Sequence, residues 1–286
     1  MGNFSPWLEQ TMFDLHCHSN FSDGVLCPAD LFMKASTAGL RVLALTDHDT
    51  ISGIAPMKKA ALDSDITIIN GIELSVRWKK YDIHILGLQI SPDASCLMEL
   101  IAHQNFCRIE RAKLIGQCLE TLGIEDAYQK AVVIAGHERV GRPHFAEVLL
   151  SEGVVKDSKA AFKQYLGLGK SAYVPTAWVG LEEAVAVINQ SSGQAVIAHP
   201  LKYKLTRSKL NELIITFKSC GGVGMEVVSG EVTANEALEM AGLCNRYNLL
   251  ASSGSDYHGD QLSRTRLGQQ RQLPVNCTPI WQAWNI

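Results

Sequence analysis

The sequence predicts an α/β protein in which short parallel strands alternate with helices, interrupted once by a purely helical stretch. Three observations carry this expectation. Short apolar runs recur at about 12–16, 42–46, 66–69, 72–76, 83–88, 195–198, 224–228 and 248–252, many separated by stretches with helical spacing. Between about residue 96 and residue 169 no such run occurs. Side chains that bind metals stand at the downstream ends of nearly all the runs. Strand, helix, strand is the unit of a parallel barrel and also of a doubly wound sheet, and in a barrel the strand ends converge on one face.

The first run leads into Asp14-Leu15-His16-Cys17-His18 and then Ser22-Asp23-Gly24. Alternation along an extended chain puts His16 and His18 on one side and turns Cys17 away from them to pack. Pro28 opens a helix with Leu31, Phe32, Ala35 and Ala38 on one side and Gly39 as its stop. The run Val42–Leu45 feeds Thr46-Asp47-His48-Asp49, and the next runs carry Glu73 and His84. After Pro92 the rhythm breaks. Ile101, Ile109, Ala112, Leu119 and Leu122 mark a long amphipathic helix with Arg108, Arg111 and Lys113 on its polar side, and Cys107 and Cys118 read as one buried stripe. Residues 96–172 are therefore expected to form a helical insertion domain within a domain made of 1–95 and 173–286. His103 and His137 are expected to be solvated or locally bonded. Strand character resumes before His199-Pro200, and Leu249-Leu250-Ala251 precedes Ser253-Gly254-Ser255-Asp256-Tyr257-His258.

Composition narrows the class. In 286 residues, 47% hydrophobic and 19% charged side chains suit a globular enzyme with a sizeable core. The net charge of −3 argues against a broad basic face, so a nucleic-acid substrate would be held mainly at an active site. Eight cysteines without a C-x-x-C pair exclude a disulfide framework or zinc knuckle and fit free thiols in a reducing cytoplasm. Met1–Pro6 has no basic secretory start, Pro6 departs from the myristoylation pattern, and no segment reaches membrane-spanning length. No obligate protein partner is indicated.

Six of the nine histidines (His16, His18, His48, His84, His199, His258) end or follow strand-like runs. A lone histidine in such a place is more often a core or surface residue than a ligand. Burying six rings for packing alone, however, would cost free energy at every unpaired nitrogen, whereas a shared metal site satisfies them together. Imidazoles and carboxylates without thiolate suit zinc, manganese or iron, and several carboxylates favour the harder ions of that group.

In order, Asp-Leu-His-x-His with Ser-Asp-Gly, Leu-Thr-Asp-His-Asp, a lone Glu, a His, His-Pro and Ser-Asp-x-His resemble the motif series of the PHP (polymerase and histidinol phosphatase) metallohydrolases, from Asp14 to His258. The chain is most similar to the stand-alone bacterial members that act as nucleoside 3′,5′-bisphosphate phosphatases and 5′→3′ exoribonucleases. That resemblance implies a distorted (β/α)7 barrel capped by the helical insertion. It implies a centre of two to three divalent ions, manganese foremost with zinc or iron as alternatives, held by His16, His18, Asp23, His48, Glu73, His84, His199, Asp256 and His258. Asp14 and Asp47 are expected to orient ligating imidazoles through their other nitrogens, with a structural role at the strand ends as the alternative. Arg142 and His144, in an Arg-x-His-Phe-Ala segment, are expected to contact substrate phosphate. Where the family often has Pro-Gly-Arg-Tyr, this chain has Pro200-Leu201-Lys202-Tyr203, so Lys202 takes the arginine's place in substrate binding. The implied substrates are nucleotides and short single-stranded RNA, with a histidinol-phosphate-type or other small-molecule phosphatase as the alternative. A metal-binding module without turnover and a C–N hydrolase are weaker rivals.

Overall fold

The structure, a computed structural model, describes residues 13–284. The N-terminal Met1–Pro6 segment and Met12, at the start of the first predicted run, lie outside the described residues. In chain order the strands are β1 (Phe13–Cys17), β2 (Val42–Leu45), β3 (Thr67–Trp78), β4 (Tyr81–Leu88), β5 (Val179–Gly180), β6 (Gln194–Ile197), β7 (Gly224–Ser229) and β8 (Leu250–Gly254). The helices are α1 (Pro28–Thr37), α2 (Ile54–Ala60), α3 (Ser95–Glu120), α4 (Ala127–Ala135), α5 (Arg142–Ser151), α6 (Ser158–Ala161), α7 (Leu181–Gln190), α8 (Arg207–Ser219) and α9 (Ala234–Tyr247). The chain divides into two compact units, one of residues up to Leu100 together with those from Val179 onward, the other of Ile101–Trp178.

The first unit is a nearly closed sheet in the order β1-β2-β3-β4-β6-β7-β8, with the two-residue β5 beside β3. Its closure lies between β1 and the segment after β8. The Asp256 N–H donates to the His16 carbonyl at 2.8 Å, and the His18 N–H donates to the Tyr257 carbonyl at 2.9 Å. This is the expected distorted barrel, and the distortion has a definite origin. Strand β4 runs antiparallel to both β3 and β6, while the other neighbouring pairs are parallel.

Two predicted runs, 66–69 and 72–76, turn out to be one strand of 12 residues. Asn70-Gly71 has the look of a turn, but here it marks a change of partner: β3 pairs with β2 up to Asn70 and with β4 from Gly71 onward. Gly71 allows the switch because a Cβ there would stand 2.6 Å from the Leu45 carbonyl oxygen. Asn70 Nδ2 meanwhile donates to the Ile90 carbonyl at 3.0 Å.

Strand β2 is buried on both faces, as its uninterrupted apolar sequence requires. Val42 and Ala44 join a core with Leu15, Leu86, Leu88 and Val196. Leu43 and Leu45 pack instead with Leu31, Phe32 and Ala35 of α1. One extra residue in β1 between Asp14 and Cys17 lets Leu15 and Cys17 enter different cores. Cys17 is buried there, pointed away from the histidines as expected. Helix α1 starts at Pro28 and is followed by Gly39 at φ +76°, although Ala38 is exposed rather than on its buried face.

In the second unit Ala112, Ile115, Leu119, Phe145, Val148 and Leu149 pack together. Several sequence expectations fail here. Arg108 and Arg111 of α3 are buried, their guanidinium groups stacked on the Trp178 ring at 5.1 and 4.9 Å, so an aromatic face replaces the solvent expected for them. Cys107 and Cys118 are only partly buried rather than one buried stripe, and Leu122, beyond the helix, is exposed.

The closure of the barrel is sensitive to a single methyl group. A Cβ on Gly254 would lie 2.3 Å from His16 Cβ and 2.8 Å from its backbone nitrogen. Gly254→Ala should destabilise the fold by about 1–3 kcal/mol through overpacking. Gly242→Ala, in α9 with no atom within 4 Å, should instead stabilise it by about 0.5–1 kcal/mol. Urea unfolding of both variants checks the contrast; equal stability of the two would mean that the closure does not depend on Gly254.

Candidate metal centre

Nine of the sequence-predicted site residues meet within the first unit. His16 lies near the end of β1 with His18 just beyond it, and Asp23 follows on the next loop. His48 follows β2, His199 follows β6, and Asp256 and His258 follow β8. Glu73 and His84 depart from the rule of strand ends. Glu73 stands mid-strand in β3, and His84 lies near the start of the antiparallel β4, which brings it to the same end of the sheet as its neighbours' carboxyl ends. Register accounts for their meeting: His84 pairs with Ser75, two residues from Glu73 and on the same face.

Glu73 is the hub and is fully buried. Its Oε1 lies 2.9 Å from His84 Nδ1 and 2.9 Å from His199 Nε2. Its Oε2 lies 3.1 Å from His48 Nδ1, 3.2 Å from His18 Nε2 and 3.3 Å from His16 Nε2. To one side Asp23 stands 3.3 Å from His258 Nε2 and 3.7 Å from His18 Nδ1 and His48 Nε2. To the other, Asp256 Oδ1 is 3.4 Å from His16 Nε2 and 3.5 Å from His18 Nε2. Among the described residues four groups could each hold a cation: His18/Asp23/His48/His258, His16/His199/Asp256, His16/His18/Glu73 and His48/Glu73/His84. His16, His18, His48 and Glu73 each belong to two of them.

The donor set fits cations. His16 Nε2 and His18 Nε2 face each other at 3.1 Å, where at most one can supply a proton while both are neutral. Asp23 Oδ1, His48 Nδ1, Glu73 Oε2 and His199 Nδ1 are buried without a hydrogen bond despite the nitrogens and oxygens around them. Imidazole and carboxylate lone pairs converging in this way are what a shared positive ion satisfies. Titration reflects the same crowding. Burial alone would raise the Asp23, Glu73 and Asp256 carboxyls, yet the imidazoles around them hold all three well below the usual range. Burial depresses His48 to about 3, whereas the carboxylates overcome burial at His18 and lift it to about 10. His199 and Asp256 have φ of 26° and 52°, left-handed values unusual for side chains with a Cβ.

The structure supplies one residue that sequence reasoning missed. Glu226, buried in β7, accepts from His16 Nδ1 at 2.9 Å and from the His199 N–H at 2.6 Å. A charged residue inside the apolar run Gly224–Val228 was the signal for it. For Asp14 the structural alternative fits: its carboxylate accepts from the backbone N–H groups of Ser255 and Gly268 at 2.9 and 2.8 Å, with no imidazole ring among its hydrogen-bond partners in the described residues, and so ties the barrel ends together. Burial pushes it up to about 6. Asp47 likewise grips a loop rather than a ring, accepting from Ser19 N, Ser19 Oγ and Ser22 Oγ, each at 2.7 Å. Lys202 lies with its Nζ in a short contact against Asp256 Oδ2. Arg142 and His144 belong to the second unit, at the start of α5. His144 Nδ1 accepts from the Gly141 N–H at 3.0 Å, and Arg142 lies 6.0 Å from the Phe162 and Tyr173 ring centres. His137 is partly buried, 6.0 Å from the His144 ring, and His103 is exposed beside Cys107, within the solvated or locally bonded expectation.

Comparison with known proteins places the chain in a family. The PHP domain model matches residues 14–172. The chain belongs to the PHP family. A Chromobacterium violaceum PHP relative named 3′,5′-nucleoside bisphosphate phosphatase is 39% identical over 270 residues, covering 94% of this chain and 95% of that protein. A Haemophilus influenzae protein named 5′-3′ exoribonuclease is 40% identical over 270 residues, covering 94% and 98%. A solved Chromobacterium violaceum structure, described as an amidohydrolase with bound sulfate and no metal, superposes with a TM-score of 0.90 at 39% identity over 94% of each chain.

Asp47 offers a structural test of how the PHP site is braced. Asp47→Ala strands three donors in a buried loop and should cost about 1–3 kcal/mol or more in urea unfolding. An unchanged midpoint would show that solvent reaches the loop and that Asp47 does not brace it.

Proposed function

We propose that this protein is a metal-dependent phosphoester hydrolase that removes the 3′-phosphate from nucleoside 3′,5′-bisphosphates and degrades short 5′-phosphorylated RNA from its 5′ end. The observation that carries this reading is Glu73 ringed by five imidazoles and flanked by Asp23 and Asp256, in a chain about two-fifths identical to relatives named for both activities. His16, His18, Asp23, His48, Glu73, His84, His199, Asp256 and His258 would hold two to three divalent cations, manganese foremost and zinc or iron as alternatives. Such cations, when bound, supply Lewis-acid neutralisation of phosphate charge and make water acidic enough to serve as a nucleophile near neutral pH.

The chain's own groups prepare the site. Glu226 fixes the His16 ring by accepting a hydrogen bond from Nδ1–H, which turns Nε2 toward the carboxylate hub. The Tyr203 hydroxyl donates to the Ala198 carbonyl at 2.8 Å and accepts from the His84 N–H at 2.8 Å, tying the two histidine-bearing segments together. Lys202, beside Asp256 and half exposed, is placed to receive substrate phosphate, and Arg142 and His144 are assigned to phosphate binding from their motif. Arginine offers two parallel donors to a phosphate, which a lysine cannot copy.

Both substrates present the same bond. Water's oxygen joins the phosphorus, the bond to the 3′-oxygen of the 5′-terminal nucleoside breaks, and that oxygen leaves with a proton. On a bisphosphate the products are a 5′-mononucleotide and inorganic phosphate; on RNA they are a 5′-mononucleotide and a shortened strand with a new 5′-phosphate. C–N hydrolysis, suggested by the description of the solved relative, would use similar ligands, but the names of the sequence relatives support the phosphoester. The eight free cysteines suit a reducing cytoplasm, and among the described residues no helix is long and apolar enough to cross a membrane.

Elemental analysis of protein purified in manganese should find more than one ion per chain. Glu73→Gln should lower that content while the circular dichroism spectrum is retained, because an amide bridges cations poorly. A single equivalent that cannot be raised would rule out the multinuclear centre.

The activity is tested with manganese-loaded enzyme on nucleoside bisphosphates, histidinol phosphate, an amide panel and a 5′-phosphorylated oligoribonucleotide labelled at its 3′ end. The expected result is phosphate release from bisphosphates and progressive shortening of the labelled RNA. Turnover confined to histidinol phosphate or amides would assign a different reaction, and immediate release of labelled mononucleotide would reverse the direction.

A further inference from the structure

A cavity of about 470 Å³ opens directly beside the metal centre, sharing His199, Asp256 and His258 with it and lined also by Lys202. Its outer walls are the loop after β7 and the segment that follows His258. A second cavity of about 750 Å³ continues from it, and the two share Gly230, Glu231, Val232 and Thr265. Both have the size of a site for a small ligand, and together they make one trough leading away from the hub. The trough lies wholly within the first unit.

Four carboxylates, Glu226, Glu231, Glu236 and Asp256, line the first cavity, so its positive charge is concentrated on one wall. The whole chain carries −3, yet residues 261–272 hold Arg264, Arg266 and Arg271 with no acidic residue. Arg264 lines the first cavity and Arg271 the second. This wall is fixed rather than loose: the Gly268 N–H is held by Asp14 at 2.8 Å, Gln270 donates to the Phe13 carbonyl at 2.7 Å, and Leu267 is buried in the core against α1. The Arg264 guanidinium pairs with Glu231 at 2.8 Å, with side chains 79% and 64% exposed. A pair so open to water contributes little stability and is readily exchanged for a phosphate.

We infer that this trough is the track for the RNA strand downstream of the scissile phosphate, with Arg264 and Arg271 gripping successive backbone phosphates. The inference rests on the phosphoesterase reading and adds to it the feature that separates the two substrates. A bisphosphate ends at the phosphorus under attack, and its nucleoside lies on the leaving-group side. RNA carries a further chain on that phosphorus, of no fixed length, and needs an extended polar groove for it.

The test compares wild-type holoenzyme with Arg264→Ala/Arg271→Ala and with Glu231→Gln. On a 5′-phosphorylated pentaribonucleotide the double variant should lose about tenfold in kcat/KM, while on a nucleoside 3′,5′-bisphosphate it should stay within about twofold. The salt dependence of pentanucleotide cleavage should become shallower by about 0.7 in log–log slope for each phosphate contact removed. Glu231→Gln, which frees Arg264, should improve cleavage of RNA by up to about fivefold and leave the bisphosphate unchanged. Equal losses on both substrates, or none on either, would overturn the track. Binding of a labelled pentaribonucleotide in the Asp256→Asn background keeps the two readings apart. Arginine-dependent binding with no turnover by wild type would defeat the phosphoesterase reading and keep the track. Turnover with binding indifferent to both arginines would do the reverse.

Discussion

A buried carboxylate at Glu73, surrounded by five imidazoles, is the constraint on which the rest of the barrel depends. An anion without solvent is costly unless positive charge or donors meet it. The chain meets it by bringing histidines from β1, β2, β4 and the segment after β6 to one point, and that requirement shapes the sheet. Strand β3 must run past the hub to pair with both β2 and β4, and β4 must run backward so that His84 faces Glu73 rather than the far end of the barrel. The long β3 and the antiparallel pair are therefore consequences of where one carboxylate sits.

Around that hub stand buried acids with different tasks. Glu226 acts on a ligand-type ring, through His16 Nδ1, and on the backbone of His199. Asp14 and Asp47 act on loops, Asp14 joining Ser255 and Gly268 and Asp47 holding Ser19 and Ser22, while Asp49 ties its own loop to β3 by accepting from the Ser75 N–H and Oγ at 2.8 Å each. Charge-assisted bonds to backbone donors are short and directional. They hold loops to positions within which nine side chains can converge to a few ångströms, including His199 and Asp256 in left-handed backbone conformations.

The same brace reaches outward. Asp14 holds Gly268 and so fixes the arginine-bearing wall of the trough beside the centre. A protein of net negative charge thus presents a local basic edge next to a site rich in carboxylates. That separation suits a phosphodiester substrate, since the reacting phosphate needs cations at the hub while phosphates further along need only exposed guanidinium groups.

By itself the sequence determined that this is an α/β metal-binding protein, because ligand-type side chains follow apolar runs and a strand's period of two fixes which neighbours share a face. His16 and His18, His48, His199, Asp256 and His258 were legible in that way, and the order of the motifs pointed to the PHP family. Local pattern could not reveal that 66–69 and 72–76 are one strand, since Asn70-Gly71 reads as a turn until β2 and β4 are both present to pair with its two halves. Nor could it reveal that β4 is reversed, because strand direction is set by partners distant in the chain. Arg108 and Arg111 read as a polar face because charge predicts solvent; only the tertiary fold placed Trp178 over them. Glu226 and Asp14 were decided last, their roles depending on donors 210 and 241 residues away along the chain. Which residues could bind a metal is local chemistry, but which imidazole nitrogens face one carboxylate is settled only when the barrel closes.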